Sequence, residues 1–290
     1  GFDITVASEV MACLCLSESA AELKDRLSRI IVAYTYDRQP VTASELNAAG
    51  AMAVLLRDAL NPNLVQTLEG NPAIIHGGPF ANIAHGCSSV IGTKLGLRTS
   101  EYVVTEAGFG ADLGAEKFMN IKCRQAGLEP DAVVLVATVR ALKYHGGMAI
   151  KELDEPNDEA LEAGAENLRK HIENIRQFGV PVVVAVNAFA NDTPDELHLV
   201  QHKCDYLGVD TVSSDHWARG GAGAEELART VVKAAEQTES DFRLLYDDGE
   251  KLWEKVRTVA REIYGAKDIM VDKILRRHFR RLEQAGYGNL

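Results

Sequence analysis

The sequence predicts an α/β fold, with a mostly parallel sheet flanked by helices. Short runs rich in β-branched residues alternate with longer segments whose apolar residues recur every three or four positions. Each short run ends in Gly, Asn or a charged residue and leads into a helical pattern, as parallel sheets require. With 46% hydrophobic and 25% charged residues over 290 positions, the chain can also bury a substantial core.

Five strands and seven helices are predicted in chain order. The strands are residues 73–76, 102–105, 132–137, 181–186 and 209–212. The helices that follow them are residues 83–97, 115–126, 161–178, 195–207 and 223–236, and two more, 251–264 and 271–285, end the sequence. Residues 148–158 are acidic and irregular, so we expect a surface excursion without chemistry.

Composition excludes several classes of function. The formal net charge of -11 and the absence of a long Lys/Arg run argue against a nucleic-acid partner. The longest apolar runs are too short to cross a bilayer and no leader opens the sequence, so we expect a soluble, cytoplasmic protein without a membrane partner. Five scattered cysteines, without a CxxC pair, predict neither a metal site nor disulfides. An apolar beginning without Met and an end at a turn predict a piece of a longer chain.

Open parallel sheets bind ligands at the carboxyl ends of their strands, so the residues after each strand are the site candidates. The first two predicted strands lead into glycine-rich loops, where backbone N–H groups can approach an anion. The candidates there are His76, Gly77, Gly78, His85, Glu106, Gly108 and Gly110. Tight turns explain the glycines equally well, and a structural hydrogen-bonding role remains open for both histidines.

The spacing of these residues argues against a dinucleotide-binding site and against a zinc site. The glycines of residues 108–114 are spaced GxGxxxG, one residue too long for a dinucleotide fold, and no acidic residue ends the next strand. The histidines do not pair at i, i+4 on one helix with carboxylates nearby, which argues against zinc.

The last three strands are followed by cations, amides and aromatic rings. Arg140, Lys143 and His145 suit a phosphate or a carboxylate. Asn187, Phe189 and Asp192 follow the next strand. Trp217 lies in a polar loop flanked by glycines, where burial is awkward and a flat apolar ligand fits. No GxxxxGK[ST] occurs, so the residues alone do not establish nucleotide binding.

Residues 136–147, Val-Ala-Thr-Val-Arg-Ala-Leu-Lys-Tyr-His-Gly-Gly, resemble a signature of the formate–tetrahydrofolate ligases at every position. Other segments that resemble this family are 1–11, 66–70 with 76–88, 105–114, 182–189 with 192, and 216–217 with 220–221. The resemblance therefore extends over essentially the whole chain.

The resemblance implies a P-loop NTPase-like fold, here without its N-terminal P-loop portion, and a homotetramer of subunits about twice this length. It implies that formate attacks the γ-phosphate of ATP, and that tetrahydrofolate then attacks formyl phosphate to give 10-formyltetrahydrofolate for one-carbon metabolism. The expected small-molecule ligands are ATP with Mg²⁺, formate and tetrahydrofolate, while dependence on a monovalent cation is left open. Because the P-loop is missing, we expect the chain to be inactive alone.

Residue roles follow from the same resemblance and from position. Phe189 and Trp217 match an aromatic pair that sandwiches the pterin ring. Arg140 and Lys143, with His145, are expected to stabilise formyl phosphate, and fold analogy puts Asn187 and Asp192 near adenine. Residues 1–150 are expected to complete the nucleotide and formyl phosphate domain, and residues 151–290 to form a second α/β domain with the folate aromatics and a helical end. The alternatives are another P-loop-related ATP-dependent ligase and a non-catalytic scaffold.

Overall fold

A computed structural model describes residues 8–81 and 84–289 and shows two compact units. The first unit combines residues 1–128 with 244–290, and the second comprises residues 129–243. The boundary between the two domains expected from the sequence is residue 150. Residues 129–150 group with the second unit because the strand they contain pairs with later strands. Residues 1–7 of the family-like segment 1–11, and the predicted helix start at residue 83, lie outside the described residues.

The N-terminal part of the first unit consists of short elements. They are α1 (Glu9–Leu16), α2 (Ala20–Ser28), β1 (Ile31–Tyr34), β2 (Pro40–Thr42), α3 (Ala49–Leu55), β3 (Asn63–Gln66), β4 (Pro72–Ile75) and α4 (Val90–Thr99). The helices α1, α2 and α3 meet around Leu14, Leu23, Leu27 and Ala49, which are buried together. Ile30, which directly precedes β1, packs against this small apolar cluster.

The strand predicted at residues 73–76 is confirmed as β4, but its pairing is antiparallel. Leu64 of β3 lies opposite Ile74 of β4, so these strands form a separate hairpin rather than part of a parallel sheet. The strand predicted at residues 102–105 is wrong: the segment has no ladder partner in the described structure. Val104 is 90% exposed, so its β-branched character alone does not make a strand.

Residues 110–126 are helical but irregular. The run consists of two π-helical stretches, Gly110–Ala115 and Phe118–Cys123, and a final turn, α5 (Arg124–Ala126). It ends at Gly127, whose φ of +62° lies in the left-handed region that favours glycine. The predicted helix is confirmed, although it begins earlier than residue 115.

The second unit is built on a three-stranded parallel sheet. β5 (Val133–Ala137), β6 (Val182–Asn187) and β7 (Asp210–Ser214) lie side by side with β6 in the centre. The residues from Val183 to Val186 are buried, because a central parallel strand is covered on both faces. This sheet and its helices confirm the predicted α/β class.

Five helices follow or cover that sheet. They are α6 (Val139–His145), α7 (Asp158–Gln177), α8 (Pro194–Tyr206), α9 (His216–Arg219) and α10 (Glu225–Gln237). Short 3₁₀ turns occupy Ile150–Glu152 and Gly220–Ala224. The core between the sheet and α6, α7 and α8 contains Val139, Leu168, Ile172, Val184 and Val200. β5 leads into α6 after one residue, whereas a loop of residues 188–193 separates β6 from α8.

The C-terminal helices belong to the first unit. They are α11 (Leu252–Glu262) and α12 (Lys273–Leu282), followed by a π turn at Glu283–Tyr287. The Arg124 guanidinium pairs with the Asp248 carboxylate at 2.7 Å, and the Tyr264 hydroxyl donates to the Asp112 carbonyl at 3.1 Å. Both contacts connect this segment to the irregular helix of residues 110–126.

Candidate functional site

The turn after β5 brings α6 directly to the carboxyl end of the parallel sheet. Thr138 is the N-cap of α6, and its hydroxyl accepts the Ala141 N–H at 3.0 Å. This cap lets a helix start at the residue after the strand, as the short Ser/Thr-capped βα turn is expected to do. The three predicted catalytic residues, Arg140, Lys143 and His145, all lie on this one helix.

Lys143 is buried and paired. Its Nζ donates to Glu196 Oε1 at 2.9 Å and to the Glu155 carbonyl at 2.9 Å, and the two paired side chains are 2% and 1% exposed. Burial acts to raise the pKa of Glu196, but hydrogen bonds from Lys143 and Thr193 outweigh it and hold that pKa below its usual value. The ammonium of Lys143 is therefore held inside the unit by a carboxylate.

Arg140 is the cation that reaches the surface. Its side chain is 50% exposed and its guanidinium pairs with the Asp154 carboxylate at 2.6 Å. Asp154 belongs to the acidic excursion, which thus contacts a candidate site residue. His145 is exposed, and its Nδ1 lies 2.6 Å from the amide Nδ2 of Asn167. Helix α6 therefore has one internal cation, Lys143, and one external cation, Arg140.

The loop after β6 is organised by Asp192. The Asp192 carboxylate accepts the Phe189 N–H at 2.8 Å, and burial raises the pKa of this carboxyl. Thr193 and Glu196 then form a capping box that starts α8. Asn187, the last residue of β6, has a buried Oδ1 with no hydrogen-bond partner in the described part of the chain. Among the described residues, the Oδ1 of Asn187 is therefore an acceptor without a donor, and it precedes a loop whose backbone is held by Asp192.

Two aromatic rings stand exposed at this end of the sheet. Phe189 is 43% exposed and Trp217 is 82% exposed. They follow the neighbouring strands β6 and β7, whose ladder continues one step beyond β6 because the Ala188 N–H donates to the Ser214 carbonyl at 2.9 Å. Burying such rings against a flat ligand would remove a large apolar surface from water.

In the first unit, His76 and Gly77 are in close contact with neighbouring residues. The two ring nitrogens of buried His76 lie 2.6 Å from Ser89 Oγ and 2.8 Å from the Ala59 carbonyl. Gly77 has a φ of +69°, and a Cβ there would lie 2.2 Å from Cys15 Sγ. The adjacent Gly78 is exposed, and its backbone hydrogen-bonds to the thiol of Cys15. Both ring nitrogens of His76 are therefore already occupied.

The two glycine-rich loops of this unit meet. Gly108 has a φ of +74°, and a Cβ on it would lie 2.7 Å from the Gly86 carbonyl oxygen, so only glycine permits the approach. Gly110 also has a positive φ, and Glu106 is exposed. Phe109 lies between these glycines and is 80% exposed, although it was not among the site residues predicted from the sequence. An aromatic residue flanked by two glycines was the available signal.

His85 and Lys122 are buried ionisable groups in the same unit. Burial, with the positive charges of Lys122 and Lys117, lowers the pKa of His85 to about 4, and its Nε2 has no hydrogen-bond partner among the described residues. Lys122 donates to Thr93 Oγ1 at 2.8 Å, and burial lowers the pKa of its ammonium. Nothing in the sequence indicated that Lys122 is buried, because a lysine within a helical pattern is normally solvated.

Residues 8–81 and 84–289 contain no cluster of three or more His, Cys, Asp or Glu side chains arranged to hold a metal ion. Within the same ranges, no helix has the length and apolar character needed to cross a bilayer.

Comparison with known proteins gives one consistent family. The sequence profile described as formate–tetrahydrofolate ligase matches residues 1–290. Proteins named formate–tetrahydrofolate ligase from Granulibacter bethesdensis, Hyphomonas neptunium and Methylobacillus flagellatus are 61%, 58% and 57% identical over the whole of this chain. The chain spans about half the length of these curated relatives, 51% of the first and 52% of the other two.

The profile match covers both compact units, and it includes the residues after β5, β6 and β7 that the geometry singles out. Similarity at this level over every residue shows common descent rather than a shared fold alone. The chain therefore belongs to the formate–tetrahydrofolate ligase family.

Proposed function

We propose that this chain forms part of an enzyme that uses ATP to ligate formate to tetrahydrofolate, giving 10-formyltetrahydrofolate through formyl phosphate. The observation that carries the proposal is the exposure of Phe189 and Trp217 in loops that follow adjacent parallel strands. Two exposed rings in loops that follow neighbouring strands offer apolar faces to a flat ligand, and the pterin ring of a folate is flat. Stacking on each ring would contribute about 1–3 kcal/mol, by analogy with nucleobases.

The formyl phosphate step would use the external cation of α6. Arg140 is the residue whose guanidinium is accessible, and a preorganised cation acts most where negative charge develops. Lys143, predicted as its catalytic companion, is proposed to act from its buried pair with Glu196, and His145 from the exposed end of the helix. The two glycine-rich loops, residues 76–86 and 106–110, remain the proposed anion-binding loops of the first unit, and His76 would support the first loop through its own hydrogen bonds.

The nucleotide would lie near the loop after β6. The unused Oδ1 of Asn187 can accept a hydrogen bond from the exocyclic amine of adenine, and Asp192 fixes the adjacent backbone. The phosphates and Mg²⁺ are proposed to bind a P-loop in the part of the relatives that this chain does not cover. A cytoplasmic location and a homotetramer, the latter implied by the family resemblance, complete the proposal.

The decisive experiment replaces Trp217 by Ala in a complete ligase that contains this chain. The Michaelis constant for tetrahydrofolate should rise at least fivefold, while that for ATP changes less than twofold, since the ring contacts folate alone. Tyr206→Ala is the matched control, because Tyr206 is an 88% exposed aromatic residue on α8. Equal effects of Trp217→Ala on both substrates would contradict the folate role.

A direct binding measurement separates an enzyme from a scaffold. Tetrahydrofolate should quench the fluorescence of Trp217 saturably in the complete protein, and Trp217→Phe should remove that part of the quench. A non-catalytic scaffold shows no saturable quench.

Arg140→Ala should lower the turnover number more than it raises either Michaelis constant, and an unchanged turnover number would make Arg140 structural.

A further inference from the structure

Helix α12 is strongly basic in an acidic protein. Its ten residues, Lys273–Leu282, contain five Lys or Arg and neither Asp nor Glu, whereas the chain as a whole carries a formal net charge of -11. Arg277 and Arg281 are four residues apart, so their charges face each other on one side of the helix. Like charges at this spacing destabilise an isolated helix. Such a helix needs negative charge from elsewhere.

The basic side of α12 borders a cavity. The turn between β1 and β2 provides the opposite wall of a space of about 360 Å³, which adjoins a second of about 420 Å³. Arg38, His278 and Arg281 line both spaces, and Arg277 lines the second. Ile31, Pro40 and Leu282 add apolar surface to the first. The volume is that of a small-molecule site.

Arg38 reaches the cavity from a strained turn. Its φ of +65° lies in the left-handed region, which glycine adopts at lower cost. The turn is held by the Arg38 N–H, which donates to the Thr35 carbonyl at 2.8 Å. A hydrogen bond within the turn therefore holds the backbone of Arg38, and the side chain of Arg38 lines the cavity.

The cavity arginines have no protein partner in the described part of the chain. The other two arginines of α12 do: Arg276 stacks on Trp253 at 4.8 Å, and Arg280 donates to a backbone carbonyl at 3.4 Å. The one carboxylate that lines the second space belongs to Asp272, which caps α12 by accepting the Leu275 N–H at 2.7 Å. Three guanidinium groups from two elements thus border one space without ion pairs.

We propose that this cavity binds a small polyanion, a compound with at least two phosphate or carboxylate groups. Guanidinium forks match both groups with paired hydrogen bonds, and several arginines on facing walls favour several charges on one ligand. The apolar wall from Ile31, Pro40 and Leu282 would contact the carbon skeleton of an organic anion. Binding would weaken as salt rises, because the site is open to solvent. The proposal stands apart from the ligase function proposed above.

The test is isothermal titration of a complete protein containing this chain, with inorganic pyrophosphate and with citrate as probes. The variant Arg38→Gln with Arg281→Gln removes two lining charges. Its matched control, Lys273→Gln with Arg280→Gln, removes two charges from α12 that do not line the cavity. Binding to the lining variant should be at least tenfold weaker, and binding to the control should change less than threefold. Titrations at low salt and at 0.15 M should differ in the same direction for the parent and the control.

The two probes distinguish the sources of the anion. Pyrophosphate alone identifies a phosphate compound, citrate alone a polycarboxylate, and binding of both a less selective polyanion site. Absence of binding by both probes overturns the proposal, as does equal loss in the lining and control variants. Thermal unfolding gives a second readout. The probe that binds should raise the melting temperature of the parent and of the control, and it should leave the melting temperature of the lining variant unchanged.

Discussion

The buried pair of Lys143 and Glu196 shows how one residue contact connects two strand-end loops. Lys143 lies on α6, which follows β5, and Glu196 lies in the first turn of α8, which follows β6. The same carboxylate also accepts the Thr193 N–H at 3.0 Å in the capping box. Because both charges are nearly excluded from water, neither tolerates loss of the other.

Lys143→Met should lower the free energy of unfolding by about 3–5 kcal/mol, the usual effect of leaving one buried charge unpaired. Glu196→Gln should also destabilise the protein, and the double variant should lose clearly less than the sum of the two. Urea unfolding at pH 7 measures all three. Additive losses would mean that the two side chains act independently.

The pH dependence of this pair has a defined sign. The folded state lowers the pKa of Glu196, so the pair's contribution is present above the ordinary glutamate value of about 4.3 and is lost as pH falls through the folded value. Unfolding profiles of the parent and of the double variant should therefore converge in acid.

His85 is a second residue whose burial has a measurable consequence. Its neutral form is favoured in the folded state, with a pKa of about 4 against an ordinary value of 6.5. The unfolded chain gains a proton as pH falls below about 6.5, while the folded chain does not. Stability is therefore lost between these two values and the loss ends near pH 4.

His85→Gln should remove that part of the pH dependence. The parent should lose roughly 3 kcal/mol between pH 7 and pH 4 through this group alone, and the variant should show a correspondingly flatter profile. Denaturant titrations at half-unit pH intervals provide the measurement. Parallel profiles for parent and variant would show that His85 is solvated or paired.

At the scale of elements, α6 and α7 pack with their backbones in close approach. A Cβ added to Gly164 of α7 would lie 1.8 Å from the Leu142 carbonyl oxygen, and one added to Gly146 would lie 1.8 Å from the Ala160 carbonyl oxygen. The helix that contains the candidate catalytic residues is therefore positioned by Gly146 directly after it and by Gly164 on α7. Side-chain volume at either position would push α6 away.

Gly164→Ala should destabilise the protein by about 1–3 kcal/mol, although alanine is the better helix former, because backbone overlap outweighs propensity. Gly50→Ala in α3 is the matched control, since nothing lies within 4 Å of the added Cβ. That control should be stabilised by up to about 1 kcal/mol. Thermal unfolding of the two variants compares them, and stabilisation by Gly164→Ala would contradict the close approach.

At the scale of the whole molecule, the residues proposed to take part in the reaction are distributed over both compact units. The aromatic rings and Arg140 belong to the unit of residues 129–243, and the glycine-rich loops to the other unit. No GxxxxGK[ST] sequence occurs in these 290 residues, and phosphoryl transfer depends on positioned phosphates.

The 290-residue chain alone should therefore form no 10-formyltetrahydrofolate from ATP, Mg²⁺, formate and tetrahydrofolate. A complete ligase assayed in parallel is the positive control. Addition of the remaining segment as a second polypeptide should restore part of the activity. Robust turnover by the chain alone would place the phosphate site within these residues.

The sequence by itself determined the α/β class, the three parallel strands after residue 130 and the family. Two of those strands, β5 and β6, are almost entirely apolar, so local pattern and tertiary position agree. It also indicated Trp217, because a tryptophan between polar and glycine residues has no apolar face to join. The roles of the predicted site residues stay predictions.

Only the tertiary structure decided which strands pair, which charges are buried and which loops meet. Strand pairing depends on partners distant in sequence, so residues 102–105 could not be distinguished from a strand, nor β4 from a parallel one. Arg140 and Lys143 are three positions apart on one helix, yet Lys143 is internal because Glu196, 53 residues away, meets it there. Burial and pairing are sums over long-range contacts, and a local pattern contains no information about them.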